Sequence, residues 1–312
     1  MQIAEGRFAR RGSFFIRSSF LFVTACLLLC CGCQLIGRER PVPKQMAASR
    51  NLSQRGISEL ERGEWDKGEA LLAQAIKACP TDAEPHRHYA EALWHRGARE
   101  EGLAQMREAM RFSGDDPNLA VRVGEMCFDL GRQDEAAKLA DDAIDLSPRL
   151  ASAWALRGEI AQAKGQLDEA LADLHRGLEF QHDDKRLLLL TAELYRQQGR
   201  PERALGVLEA LRDCYGTGEE PQQILYLQGL AFAALARYDD AVEAYRLGLQ
   251  RDRPSAELYF RLAEAHLRAG RPAEAGGAIQ QALALDPNHQ PSRALAEQAA
   301  MAQRGPADAV RR

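Results

Sequence analysis

Small residues recur in this sequence at a fixed interval of 34 positions. One series consists of Gly63, Gly97, Gly131, Gly165 and Gly199, and it resumes at Gly270 after one shift of phase. A second series lies seven positions earlier: Gly56, Ala90, Gly124, Gly158, Ala192, Gly229 and Ala263. A third lies five positions after the first: Gly68, Gly102, Ala136, Ala170, Ala204, Ala241 and Ala275. A period of this length predicts a repeated supersecondary unit rather than a globular enzyme core.

Each interval has the pattern of two amphipathic helices joined by a tight turn. The central glycine suits a left-handed residue at the end of the first helix. Pro201 and Pro272 follow two residues after their glycines, where the first turn of a second helix tolerates proline. The small residues of the other two series allow the two helix backbones to pack closely. Aromatic residues make up only 6% of the chain, and no alternating β-branched run indicates a sheet.

Two units match most of a 34-residue pattern that has W-x2-L-G-x2-Y in its first helix, A-x3-F in its second and a proline near its end. The fourth has Trp154, Gly158, Gly165, Ala170 and Leu174, the sixth has Leu225, Gly229, Phe232, Ala241 and Tyr245, and Pro80, Pro148 and Pro287 occupy a terminal proline position. These residues resemble the tetratricopeptide repeat (TPR) family. The resemblance implies an all-α superhelical solenoid of seven antiparallel helix pairs. Units one to seven are 49–82, 83–116, 117–150, 151–184, 185–218, 222–255 and 256–289, followed by a capping helix at 290–304 and a disordered tail at 305–312.

The fifth unit departs from this pattern. It has Arg212 where the other units carry Ile, Met or Leu, and Glu219 to Pro221 are inserted before the register resumes. Residues 213–221 could form a neutral longer loop, a hinge between two subarrays, or a binding loop. Unit one has Leu52 and Glu59 in the anchor positions that are aromatic elsewhere in the family, so it is expected to be the frayed end.

Residues 1–33 have the pattern of a targeting segment. Four arginines precede an apolar stretch at 20–31 that is too short to span a bilayer comfortably. The end of the segment resembles the lipobox of bacterial lipoproteins, with Gly32 before Cys33, which implies lipidation of Cys33. An uncleaved anchor, cleavage by ordinary signal peptidase and Cys31 as a competing site remain alternatives. Residues 34–48, with Pro41 and Pro43, are expected to form a flexible tether. The expected location is a bacterial envelope membrane, the outer one if the cell has two.

The sequence offers little for enzyme chemistry. It contains no Gly-rich phosphate loop, no nucleophile elbow and no zinc-protease helix. His88 and His95 share a helix face but have no third ligand at helical spacing, so neither a metal nor a cofactor is predicted. Three cysteines remain outside the targeting segment, and Cys79, Cys127 and Cys214 are interpreted as buried small hydrophobic residues. The chain is therefore predicted not to be an enzyme.

The net charge of the chain indicates whether its partner could be a nucleic acid. The chain has a formal net charge of −4, and residues 1–33 contribute four arginines and one glutamate, so the remainder carries −7. A mildly acidic chain without a basic stripe is a poor nucleic-acid binder.

The TPR resemblance implies a concave groove lined by the first helix of each unit. The residue that follows the small one there is glutamate in five units: Glu91, Glu125, Glu159, Glu193 and Glu264. Such a column of carboxylates would favour a basic or N-terminal-amine segment of a partner. Alternatively, these glutamates are helix formers that pair within their own helix, as Glu264 can with Arg268.

Aromatic residues define two patches along this groove. Trp94 and Phe128 stand near the glutamates of units two and three, and Tyr226, Leu230 and Phe260 form a more apolar patch over units six and seven. The Lys and Asn clamp that some family members use for a terminal carboxylate is not matched. The sequence thus predicts a lipid-anchored interaction scaffold in assembly of an envelope complex. A periplasmic carrier or chaperone that captures client peptides is the alternative.

Overall fold

The computed structural model describes residues 44–304, which contain fifteen α-helices and no strand. The first helices of the seven units are α1 Lys44–Glu61, α3 Ala83–His95, α5 Pro117–Asp129, α7 Ala151–Ala163, α9 Lys185–Gln197, α11 Gln222–Ala234 and α13 Ala256–Arg268. The second helices are α2 Trp65–Ala78, α4 Arg99–Ser113, α6 Gln133–Leu146, α8 Leu167–Phe180, α10 Pro201–Asp213, α12 Tyr238–Gly248 and α14 Pro272–Leu285. The last helix is α15 Gln290–Arg304. The predicted all-α solenoid of helix pairs is confirmed.

The turn inside each helix pair has the same geometry in all seven units. Six of these turns place glycine in the left-handed region, with φ between 66° and 88°. The next residue donates its N–H to the carbonyl five positions back, at 2.8–2.9 Å, as in Gln166 to Ala161. This is the bonding of a Schellman motif, and it satisfies a carbonyl that the helix end leaves without a partner. Unit six makes the same turn with Ala236, at φ 57°.

The other small residues lie where the two helices of a unit touch. A Cβ atom on Gly102 would stand 3.0 Å from the carbonyl oxygen of Ala90, which has no exposed surface. A Cβ atom on Gly229 would stand only 2.2 Å from a ring carbon of Tyr245. Close packing of backbone on backbone, and of ring on backbone, therefore explains these two series.

The array curves with its first helices on the inside. Within residues 44–304, successive first helices approach within 8 Å between Cα atoms in most pairs, for example α5 with α7 and α9 with α11. No second helix approaches the next second helix so closely. The concave face formed by the first helices is called the groove below.

The hydrophobic core continues across the shift of register between units five and six. Leu208 and Leu211 of α10 pack with Ile224 and Leu227 of α11 in one buried cluster. Leu211 is 1% exposed, whereas Arg212, in the position that is apolar in the other units, is exposed. In this unit the large buried apolar side chain is that of Leu211, one position earlier than in the other units, and Arg212 faces solvent.

The connecting loop is held at both of its ends. The ammonium of Lys185 lies 3.8 Å from the ring centroid of Tyr215, and the guanidinium of Arg251 pairs with Glu220 at 3.4 Å. These contacts tie the loop to unit five on one side and to unit six on the other.

The N-terminal boundary of the helical array differs from the expectation. Helix α1 begins at Lys44, so the last five residues of the predicted 34–48 tether are helical. The helix starts directly after Pro43, its first residues are strong helix formers, and Ser49 and Ser53 are buried within it. Residues 1–33 with Cys33, residues 34–43 and the tail at 305–312 lie outside the described residues. None of the helices described is both long and apolar enough to cross a membrane.

Helix α15 occupies the position of the expected capping helix. It contacts α13 and α14, and its residues Leu295 and Ala299 are buried in the cluster of units six and seven. Ala302, three residues after Ala299 on the same helix, is exposed. The apolar end of the last unit is thus covered over part of its surface.

Candidate functional site

The glutamates of units two to four form an ion-pair network with two arginines in the groove. The guanidinium of Arg122 donates two hydrogen bonds of 2.7 Å to Glu91 and one of 3.1 Å to Glu125. The guanidinium of Arg186 donates to Glu159 at 3.1 and 2.8 Å and also contacts Glu125. All five side chains are therefore joined in one chain of charges along the first helices.

This network connects units that are not neighbours in the array. Arg186 belongs to unit five, Glu159 to unit four and Glu125 to unit three, 61 residues away in sequence. In a solenoid, contacts are ordinarily confined to adjacent repeats. The inside of the curve is where side chains of alternate units come close enough to meet.

The network changes the electrostatics expected of the glutamate column. Three carboxylates are shared with two guanidinium groups, so one formal negative charge remains where the sequence pattern suggested a row of free carboxylates. Hydrogen bonds to Glu91 raise the pKa of Arg122, which keeps its charge fixed. A basic partner would have to compete with Arg122 and Arg186 for the same oxygens.

The remaining two glutamates have weaker or local partners. Glu193 accepts a hydrogen bond of 3.3 Å from Gln223 of the next unit. Glu264 pairs at 3.2 Å with Arg261, three residues before it, and not with Arg268 as the helical spacing suggested. Arg261 also donates to Glu257 at 2.7 Å. Pairing within a helix therefore occurs, with a different partner.

The aromatic residues near the network are only partly exposed, so a partner could contact only part of each ring. Trp94 and Phe128 are half-buried against the core of units two to four. The guanidinium of Arg99 lies 5.5 Å from the ring of Trp94. Phe128 lines a depression together with Arg122, Glu125, Glu159 and Arg186, so an apolar surface stands beside the charges.

The second patch lies over units six and seven. The hydroxyl of Tyr226 is 3.4 Å from Glu257, and the ring of Phe260 meets that of His289 edge-on with centroids 5.7 Å apart. Leu230 lines a separate pocket with Tyr245. The structure thus brings the sequence-predicted residues of this patch onto neighbouring first helices.

Sequence reasoning missed the arginines that organise the groove. Arg122 and Arg261 are each the sixth residue of their unit, in units three and seven. The repeat register could therefore have identified these two arginines together. Arg186 occupies a different place in its unit, and no periodic signal marks it. Its partners follow from the curvature of the array.

The histidines and cysteines have structural environments. His95 stacks on Trp65 with centroids 4.1 Å apart, and His88 lies 3.1 Å from Glu84. Burial, followed by the nearby charge of Arg87, lowers the pKa of His88. No group of three or more potential metal-ligating side chains occurs in the described part of the chain. Cys79 and Cys127 are buried as expected, whereas Cys214 is half-exposed because it lies at the start of the loop after α10.

Comparison with known proteins supports the repeat assignment. A family model described as the tetratricopeptide repeat matches residues 53–117, 127–184, 155–219 and 226–289. The TPR repeat-containing protein YpiA of Bacillus subtilis is 21% identical over 283 residues, which cover 78% of this chain and 67% of that protein. YpiA is thus similar along most of the array.

Solved structures show the same fold at low identity. A tetratricopeptide repeat protein from Parabacteroides merdae has a TM-score of 0.57 and 14% identity, covering 81% of this chain and 99% of the other. PilW, whose structure is described as that of a widely conserved type IV pilus biogenesis factor, has a TM-score of 0.57 and 19% identity, covering 64% and 90%. At these identities the likeness concerns the fold alone.

Proposed function

Because the chain belongs to the tetratricopeptide repeat family, we propose that it is a non-enzymatic scaffold that binds a segment of a protein partner in its groove. The observation that carries this proposal is the groove itself. Along units two to seven it presents charged and aromatic side chains on neighbouring first helices, from Glu91 to Glu264. Repeat arrays use such extended concave surfaces to bind other proteins.

The partner segment is expected to contact both parts of the groove. Basic residues of the partner would lie over units two to five, where they exchange with Arg122 and Arg186 for the oxygens of Glu91, Glu125 and Glu159. Apolar residues would lie near Tyr226 and Phe260. Since the carboxylates are already paired, a basic segment gains its specificity from geometry more than from net charge.

We further propose that the scaffold is tethered to a membrane of the bacterial envelope through Cys33 and serves assembly of an envelope complex. The support for the tether is the order of basic residues, apolar stretch, Gly32 and Cys33 in the sequence. PilW, which shares the fold, is a pilus biogenesis factor, and this motivates the assembly role. A carrier or chaperone of client peptides is the alternative.

Site-specific crosslinking in cells tests the groove. A photo-crosslinking residue at Trp94 or Phe260 should capture a defined partner, whereas the same residue at Lys138, exposed on second helix α6, should not. Capture of one partner that also co-purifies stoichiometrically supports the scaffold. Weak capture of many unrelated chains supports the carrier, and equal capture from Lys138 contradicts a role for the groove.

Lipid labelling tests the tether. Cells that express the wild-type chain should incorporate a labelled fatty acid into it, and Cys33→Ser should abolish the incorporation. The matched variant Cys31→Ser should retain it. Unchanged labelling of the Cys33 variant would refute Cys33 as the modified residue.

A further inference from the structure

Unit six has a tyrosine where the other units have aliphatic side chains. Tyr245 lies on the second helix α12, at the position occupied elsewhere by Leu72, Met106, Ala140, Leu174, Leu208 and Ile279. Its ring passes directly over Gly229 of α11, since a Cβ atom there would stand 2.2 Å from the ring. The side chain is 1% exposed, and it lines a pocket between units six and seven. A second-helix hydroxyl therefore reaches the side of the first helices.

The pocket combines apolar walls with polar and charged groups. Its volume is about 240 Å³, and Leu230, Ala233 and Ala265 form apolar walls. Tyr245 and Arg268 supply a hydroxyl and a guanidinium at the same pocket, and the carboxylate of Glu264, which also lines it, is paired with Arg261 at 3.2 Å. This size suits the insertion of a single side chain from a segment that lies along the groove.

These two polar groups are not used by the protein itself. Within residues 44–304 the hydroxyl of Tyr245 has no hydrogen-bond partner and Arg268 has no ion pair, although Arg261 at the same pocket is held by Glu257 and Glu264. Arg268 is exposed, and the Tyr245 hydroxyl is not among the buried side-chain atoms that lack a partner, so both groups can be reached from the pocket. The pocket thus offers two donors that no acceptor of the described residues occupies.

We propose that this pocket binds the carboxylate of an aspartate or glutamate side chain in the partner segment, with Tyr245 donating a hydrogen bond and Arg268 forming an ion pair. The inference rests on the proposed function, because it names the chemistry that the groove recognises at one point. Hydrogen bonds that combine a charged acceptor with such donors are stronger than neutral ones.

Two observations favour this occupant. Burial raises the pKa of Tyr245, so its hydroxyl remains protonated and acts as a donor to an anion. The pocket lies between the first helices α11 and α13, with the first helix α9 beyond α11 and the last helix α15 beyond α13. A segment can therefore pass across the pocket, which favours an internal acidic side chain over a chain terminus.

Peptide titration of the purified full chain in mild detergent tests the inference. The probes are three capped peptides, acetyl-Ser-Leu-Xaa-Leu-Ser-amide, in which Xaa is Glu, Gln or Lys. The readout is the ring-carbon NMR signal of ¹³C-labelled tyrosine, assigned through the absence of one signal in Tyr245→Phe. The Glu peptide is expected to shift this signal saturably and to bind about tenfold more tightly than the Gln peptide.

Three variants locate the effect. Followed by the tyrosine signals that remain, Tyr245→Phe keeps the ring that fills the space over Gly229 and should lower affinity for the Glu peptide about tenfold without affecting the Gln peptide. Arg268→Gln should lower it similarly. Arg196→Gln, which removes an exposed arginine of first helix α9 one unit outside the pocket, should leave it unchanged. Thermal melting checks that all three variants are folded.

Other outcomes overturn the inference. Equal affinity for the Glu and Gln peptides, or an unaltered affinity in Tyr245→Phe, would show that the pocket does not read a carboxylate. A fourth peptide, the Gln peptide without its C-terminal amide, serves as a control, and binding of only this peptide would contradict an internal side chain. None of these results bears on the scaffold, because the crosslinking at Trp94 and Phe260 reports partner capture without reference to this pocket.

Discussion

At the scale of single residues, backbone conformation sets the clearest local rule. Six turns use glycine at positive φ, and Ala236 adopts the same conformation at φ 57°. Steric contact between Cβ and the backbone makes this conformation unfavourable for alanine, by roughly 1–2 kcal/mol. Ala236 is exposed, so nothing in its packing depends on the methyl group.

Ala236→Gly is therefore expected to stabilise the protein by about 1 kcal/mol, because it removes this strain. The reciprocal change Gly165→Ala should destabilise it by about the same amount, since the space around Gly165 is empty and only strain is added. Urea denaturation followed by circular dichroism measures both. A lower midpoint for Ala236→Gly would show that strain at this turn is not the controlling factor.

A second prediction at the scale of single residues follows from the close approach of Gly229 to the ring of Tyr245. Gly229→Ala should destabilise the protein by roughly 1–3 kcal/mol, because its methyl group would overlap the ring of Tyr245. In the background Tyr245→Leu, which restores an aliphatic residue, the same change should cost clearly less. A double-mutant cycle of thermal or urea unfolding measures this coupling, and strictly additive effects would rule out the contact as its cause.

At the scale of elements, the fifth unit shows how a helix accommodates an altered pattern. The large apolar residue of α10 lies at position 211 instead of 212, and α10 still packs on α11. The sequence identified Arg212 as out of pattern but not the residue that replaces it. The burial of Leu211 identifies it as that residue, because its side chain fills the space between the units.

Leu211→Ala should therefore destabilise the protein by about 2–5 kcal/mol through loss of buried surface and formation of a cavity. Arg212→Leu, which restores the repeat pattern at an exposed position, should change the free energy of unfolding by less than about 0.5 kcal/mol. Chemical denaturation compares the two variants. A strong stabilisation by Arg212→Leu would mean that the repeat position, and not the observed burial, governs this helix.

At the scale of the whole molecule, the groove network couples units that the core does not connect. The hydrophobic clusters join neighbouring units, whereas Arg186 joins unit five to unit three. Its side chain is 43% exposed, so each of its ion pairs contributes only about 0.2–1 kcal/mol. The network is therefore better suited to limiting flexing of the curve than to raising overall stability.

Arg186→Gln should accordingly lower the free energy of unfolding by only about 1 kcal/mol but increase amide exchange in α5, α7 and α9. Hydrogen-exchange mass spectrometry measures the change. Arg176→Gln, which breaks an exposed pair with Glu179 on a second helix, is the matched control and should leave α5 and α9 unaffected. Similar exchange in both variants would indicate that the bridge across unit four has no mechanical role.

The repeated turns and the seven helix pairs could be read from the 34-residue period, because backbone conformation and close helix contact depend on residues near one another in sequence. The start of α1 at Lys44 could not, since its first five residues precede the repeat register and are mostly exposed, so neither the period nor a buried apolar pattern marks them. The site was predictable only in part. The glutamates, Trp94 and Phe260 follow from repeat positions, but the partners of their charges do not.

What the sequence by itself determined is therefore the architecture, unit by unit: where each first helix ends and where small residues allow two helices to touch. Only the tertiary structure decided that Arg186 meets Glu125 across 61 residues, that Glu264 pairs with Arg261, and that Tyr245 and Arg268 line the same pocket. The physical reason is that such contacts depend on the distance between first helices of different units. That distance is set by the curvature of the packed array, which no single repeat encodes.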